Sequence, residues 1–120
     1  MSTPKIFDSE FRFCQILWDH EPIGSTALVK LCKEELGWSK ATTYTVIRRL
    51  SERGVVKNEN ATVESLVSRE EAQCAEIDAL VERSFGGSLP AFVAAFTGHA
   101  KLSKEDAQAL RQMIEQYEEV

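Results

Sequence analysis

Residues 38–54 read WSKATTYTVIRRLSERG, and the placement of this stretch decides what the chain is. As a helix capped by Ser39 and stopped at Gly54, it sets Thr43, Val46, Ile47 and Leu50 on one side. Lys40, Ala41, Thr42, Tyr44, Thr45, Arg48 and Arg49 fall on the other. One side can pack on a core, while the other presents cations and hydroxyls to the outside. Yet the chain is acidic, with 14 Lys plus Arg against 19 Asp plus Glu and a formal charge of −5.

Dividing the charge resolves the contrast. Residues 1–67 hold nine cations and nine anions, and residues 68–120 hold five cations and ten anions, so the net −5 lies in the second half. Within 39–57, five cations (Lys40, Arg48, Arg49, Arg53 and Lys57) face one anion, Glu52, for a net +4. A local positive stripe on a helix is the form a nucleic-acid footprint takes.

At 120 residues, 43% apolar and 28% charged, the chain suits one domain or a small domain with a helical extension. No run approaches the roughly 18 apolar residues of a membrane span, so no membrane insertion is expected. The opening MSTPKIFDSEF shows no secretory signal. Three widely spaced cysteines, Cys14, Cys32 and Cys74, without a CxxC pair, fit a reducing cytoplasm better than a disulfide framework or a zinc site.

Working outward from the central stretch, Asp8 or Ser9 is expected to cap a first helix running to about His20, with Phe11, Cys14, Leu17 and Trp18 inward. Ser25 caps a second, with Leu28, Leu31, Cys32 and Leu36 inward and Gly37 as its stop. Beyond Gly54, the β-branched runs VVKN and TVESLV flank a turn at ENA and read as a hairpin. Ser68 with Glu71 forms a capping box for a fourth helix, with Cys74, Ile77, Leu80, Val81 and Phe85 as its stripe. Ser88 caps a fifth, LPAFVAAFTG, apolar around most of its circumference, and Ser103 with Asp106 opens a sixth.

The expected fold is therefore mainly α: a winged helix-turn-helix of three helices plus a two-stranded wing, followed by a three-helix C-terminal extension. Residues 1–67 would be the DNA-binding domain and 68–120 a dimerisation region. Gly37 and Trp38 alone separate the second helix from the cap of the third, which suits the tight turn of the motif. Arginine can bond guanine bidentately, threonine can reach bases or phosphates, and tyrosine can reach phosphate. The expected contacts to a double-stranded DNA operator are Ser39, Lys40, Ala41, Thr42, Tyr44, Thr45, Arg48, Arg49 and, from the wing, Lys57.

The run from Ser39 to Leu50, with Arg53 and Gly54, resembles the recognition helix of the penicillinase-repressor family, which includes methicillin-resistance regulators and copper-responsive repressors. FCQILWD, ending in Leu17 and Trp18, resembles that family's first helix. SFGGSLPAFVAAF followed by LSKEDAQALRQMI resembles its tail. The resemblance implies a dimeric transcriptional repressor, each head reading half of a pseudo-palindromic operator, with recognition helices about 34–36 Å apart or a multiple of that. The residues agree independently, since an apolar fifth helix in so small a chain needs a partner to cover it. Leu89, Phe92, Val93, Phe96, Leu110, Met113, Ile114 and Tyr117 are expected in or near the homodimer interface.

Departures from the family pattern are informative. The wing KNENATVESLVS lacks the family's Gly–Arg turn and Tyr, has Lys57 as its one cation, and places Glu59 and Glu64 where phosphates are expected. Antibiotic-responsive relatives are cut at an Asn–Phe bond in the fifth helix. The matching pair here is Ala95–Phe96, the position at which a membrane sensor protease would act. The C-terminal cysteine cluster of copper-responsive relatives is missing from QMIEQYEEV. His20 and His99 read as helix-end residues, the three cysteines as buried spectators, and Glu70, Glu71, Glu118 and Glu119 as solvated faces. No nucleophile–base pair, phosphate-cradling loop or metal spacing is found, so neither an enzyme nor a cofactor is expected. The reading from another class is a winged-helix protein-interaction module that has lost DNA binding.

Overall fold

The computed structural model describes residues 3–99 and 101–117, so Glu118 and Glu119 lie outside the described residues. In chain order the elements are α1 (Asp8–His20), β1 (Ile23–Gly24), α2 (Ser25–Leu36), α3 (Lys40–Glu52), β2 (Val56–Glu59), β3 (Thr62–Ser65), α4 (Arg69–Phe85), α5 (Leu89–His99) and α6 (Lys104–Glu115). Residue contacts gather Met1–Ile77 into one unit and Asp78–Val120 into another, dividing within α4.

In the first unit, one core holds Phe13, Cys14, Ile16 and Leu17 of α1, Leu28 and Cys32 of α2, and Val46, Ile47 and Leu50 of α3. Val55, Val56, Val63, Val67 and Ala72 close it. The α1 stripe differs from expectation. Phe13 and Ile16 are buried, whereas Phe11 and Trp18 are half-buried and meet edge to face at 5.4 Å. The reason is that α1 contacts both α2 and β3, so it buries a wider arc than a single-sided surface helix would.

The sheet has three strands in the order β1-β3-β2, not two. Ile23 pairs with Val63 and Gly24 with Thr62, giving the hairpin a third, two-residue partner. The hairpin closes at Asn60 (φ 53°) and Ala61 (φ 57°), both in the left-handed region. A two-residue turn of this hand matches strand twist. Two ties hold the hairpin to the segment leading into α2 and to its first residue. Glu21 Oε1 accepts from the Ser65 N–H and from its hydroxyl, each at 2.7 Å, and Ser25 N–H donates to Ala61 O at 2.8 Å.

Capping accounts for most boundaries. The side chains of Ser39, Ser88 and Ser103 each accept an N–H from three residues on, and Ser68 and Glu71 form the expected reciprocal box. Two expected caps are wrong. Phe7, not Asp8 or Ser9, occupies the α1 N-cap, and its N–H is satisfied by Glu10 Oε1 at 2.9 Å. At α2 the N-cap is Gly24, because Ser25 has turned its hydroxyl toward Tyr44.

At the start of α4, Arg69 donates to Asp19 Oδ1 at 2.5 Å and lies 5.6 Å over the Trp18 ring, and Trp18 Nε1–H donates to Val67 O at 3.0 Å. Of the expected α4 stripe, Val81 is buried and Leu80 and Phe85 are half-buried. Ile77 and Cys74 are exposed, so Cys74 is not the buried thiol expected. Within the second unit, Phe92 meets Phe85 edge to face at 5.6 Å and stacks with Phe96 at 6.3 Å. Neither α5 nor α6 has a fully buried residue.

Candidate nucleic-acid interface

The interface is built on α3 and the turn before it. Gly37, at φ 70°, ends α2, its N–H donating to Lys33 O at 3.1 Å and that of Trp38 to Cys32 O at 3.3 Å. A side chain at Gly37 would strain this left-handed stop. Trp38 then stacks on Phe13 at 6.2 Å with 6° between planes, which seats the turn against α1. Ser39 follows as cap. Its Oγ accepts from the Thr42 N–H at 3.1 Å, its hydroxyl donates to Thr42 Oγ1 at 3.0 Å, and its carbonyl accepts from the Thr43 hydroxyl at 3.1 Å.

The two sides of α3 separate as the spacing predicts, except that Tyr44 and Thr45, expected outward, are half-buried at the margin. Thr43, Val46, Ile47 and Leu50 are buried, and Lys40, Ala41, Thr42, Arg48 and Arg49 are exposed. Helix geometry leaves the N–H groups of Lys40 and Ala41 without intrahelical partners, at the positive end of the dipole and beside the Lys40 ammonium. That end can accept an anion, while Arg48 and Arg49 stand further along the same rod. Lys40 and Arg49 make no ion pair among the described residues. Arg48 approaches Glu52 at 4.0 Å with both side chains 68% exposed, a pair too solvated to hold it.

Three cations or donors near the stripe are engaged elsewhere. Tyr44 is half-buried and donates its hydroxyl to Ser25 Oγ at 3.2 Å. Arg53 turns away from the outer side of α3. It donates to Lys5 O at 2.8 Å, pairs with the buried Glu10 and lies 5.2 Å over the Phe7 ring. Lys57 faces Glu64 across the hairpin at 3.7 Å. Spacing alone could not reveal these engagements, since each partner lies on a different element. The acidic first turn of α1, which contains Glu10, was the local signal for a cation drawn there.

Burial pushes the Cys14 thiol up to about 12, helped by Glu10 and Glu21 and opposed by Arg53. Burial likewise raises Cys32 to about 11, with its Thr43 hydrogen bond pulling the other way. Both stay neutral and unreactive near neutral pH. His20 Nδ1–H donates to Ile16 O at 2.8 Å, and His99 sits in the last turn of α5. Among the described residues, no three His, Cys, Asp or Glu side chains gather where a metal could be held, and no helix is long and apolar enough to cross a membrane.

Three helices, a tight turn, a wing and an outward cationic rod define a winged-helix protein of the DNA-binding class. The fold is shared with the solution structure of the Bacillus licheniformis BlaI monomeric form in complex with the blaP half-operator. That match has a TM-score of 0.52 at 22% identity, over 59% of this chain and 93% of that one. The chain is also 25% identical over 118 residues to the penicillinase repressor of Bacillus licheniformis, covering 95% of this chain and 92% of that protein. Residues 6–116 match the family described as penicillinase repressor, and the chain belongs to that family of DNA-binding transcriptional repressors.

Proposed function

We propose that the protein represses transcription as a homodimer on a pseudo-palindromic operator, with α3 of each copy in the major groove. The observation that carries this is the division of α3, whose four buried residues fix which side faces out and leave Lys40, Ala41, Thr42, Arg48 and Arg49 there. In the groove, Arg48 and Arg49 would read base edges and Thr42 and Thr45 would contact bases or phosphate. Ser39, Lys40 and Ala41 would meet phosphate at the helix start. Tyr44 supports this surface mainly by fixing it to α2.

Dimerisation rests on the extension from residue 68 onward. Leu89, Val93, Phe96, Leu110, Met113, Ile114 and Tyr117 are all exposed large apolar side chains, Ile114 by 76% and Met113 by 65%. Exposed apolar area on this scale in so short a segment is covered most readily by a second copy. Ala95 and Phe96 both lie inside α5, so a membrane sensor protease cutting between them would act on an unwound helix.

A gel-shift and anisotropy titration against upstream promoter fragments tests the reading. Saturable binding that depends on sequence and is abolished by Arg48→Ala with Arg49→Ala supports it. Binding indifferent to that double change removes the site. No binding to any duplex favours the protein-interaction module, to which the acidic wing points.

A further inference from the structure

The hairpin carries a charge arrangement that the resemblance did not supply. Register places Lys57 opposite Glu64 and Glu59 opposite Thr62, so these four share one face. Val63 and Val56 alternate to the buried side. The shared face holds one cation and two carboxylates, and Lys57 Nζ lies 3.7 Å from Glu64 Oε2. Both side chains of the pair are less than half exposed, at 42% and 45%, which leaves more of their attraction unscreened than for the more solvated Arg48 and Glu52. Pairing of β2 with β3 keeps the two backbones directly opposite, and the hairpin as a whole is held in place. Glu21 grips Ser65 at the end of β3, Ser25 grips Ala61 at the turn, and β1 pairs along β3.

Resting on the DNA-binding reading above, we infer that Glu64 is an affinity-limiting residue: it holds Lys57 away from phosphate, so that the wing adds almost nothing to binding of arbitrary DNA. A wing cation contributes the sequence-independent part of affinity, because each neutralised phosphate releases counterions whatever the bases are. Neutralising that cation within the wing lowers the background of nonspecific binding. It leaves discrimination to the arginines and threonines of α3, where contact energy depends on the base pair. Glu59, on the same face and in no ion pair among the described residues, adds negative charge near the turn and works in the same direction.

The test uses the full chain and a random-sequence duplex of about three helical turns, titrated by anisotropy from about 50 to about 200 mM salt. Four proteins are compared: unmodified, E64Q, K57Q and the double change. E64Q is expected to bind more tightly at low salt. Its plot of log affinity against log salt should steepen by about 0.9, so that its advantage shrinks about threefold across the range. K57Q alone should bind no more tightly than the unmodified protein, because it leaves Glu64 as an unpaired negative charge, and the gain should vanish in the double change. An unchanged slope in E64Q overturns the inference. So does a K57Q that binds as tightly as E64Q, or a gain that survives in the double change. If instead the unmodified protein binds the duplex no better than Arg48→Ala with Arg49→Ala, it is the DNA-binding reading that fails.

Discussion

Tyr44 of α3 donates its hydroxyl to Ser25 Oγ at 3.2 Å, and Ser25 donates its own N–H to Ala61 O in the wing turn at 2.8 Å. One residue at the start of α2 thus joins the recognition helix to the wing. Ser25 is buried, so its hydroxyl cannot exchange Tyr44 for bulk water. Tyr44→Phe keeps the ring and removes the bond, leaving that hydroxyl short of a donor. A loss of about 1 kcal/mol in urea unfolding is expected, with the helical circular dichroism unchanged. No loss would mean that the contact contributes nothing.

Ala61 in the wing turn is strained. At φ 57° its Cβ is crowded against its own carbonyl, a cost that Gly does not carry. Ala61→Gly is expected to stabilise the protein by about 0.5–1 kcal/mol, after allowing for the greater freedom of Gly in the unfolded chain. A lower melting temperature would contradict this.

Arg53 is the cation whose loss should be felt most in folding. Glu10 is buried, and the Arg53 guanidinium is its ion-pair partner. Arg53→Met strands the carboxylate, with an expected cost of about 3 kcal/mol, and adding Glu10→Gln should restore part of it. Equal costs for the single and double changes would show that the pair is not the source.

The thiols set an alkaline limit. Cys14 and Cys32 are raised from 9.0 to about 12 and about 11, so the folded state retains protons that the unfolded state releases. Their contribution is complete below pH 9 and is lost as pH rises through that window toward the folded values. Denaturation midpoints should therefore fall between pH 9 and 11. At pH 8, an aromatic disulfide reagent should modify Cys74 quickly and the other two only on unfolding.

The exposed extension makes a prediction of its own. Met113→Glu with Ile114→Glu places charge in the centre of the proposed interface, and sedimentation should show a monomer. Operator binding should weaken sharply because two tethered heads no longer act together, while binding to an isolated half-site should be retained. A double variant that sediments like the parent would move the interface elsewhere.

What could be read along the chain was whatever depends on neighbours three or four residues away. The inward Thr43, Val46, Ile47 and Leu50, the Ser39, Ser68, Ser88 and Ser103 caps and the Gly37 stop follow from helical spacing and local hydrogen bonding. They were enough for the winged fold and the outward stripe. Tertiary structure alone decided how many of the stripe's polar groups are free. Tyr44 is turned to Ser25, 19 residues away, and Arg53 to Glu10, 43 away, while the wing is joined by Glu21, 44 residues before Ser65. A charge or hydroxyl advertises its chemistry in sequence, but its partner is chosen by chain folding, and a two-residue strand such as β1 has no periodicity to announce it. Local pattern therefore decided the scaffold, and long-range pairing decided which side chains remain available to bind.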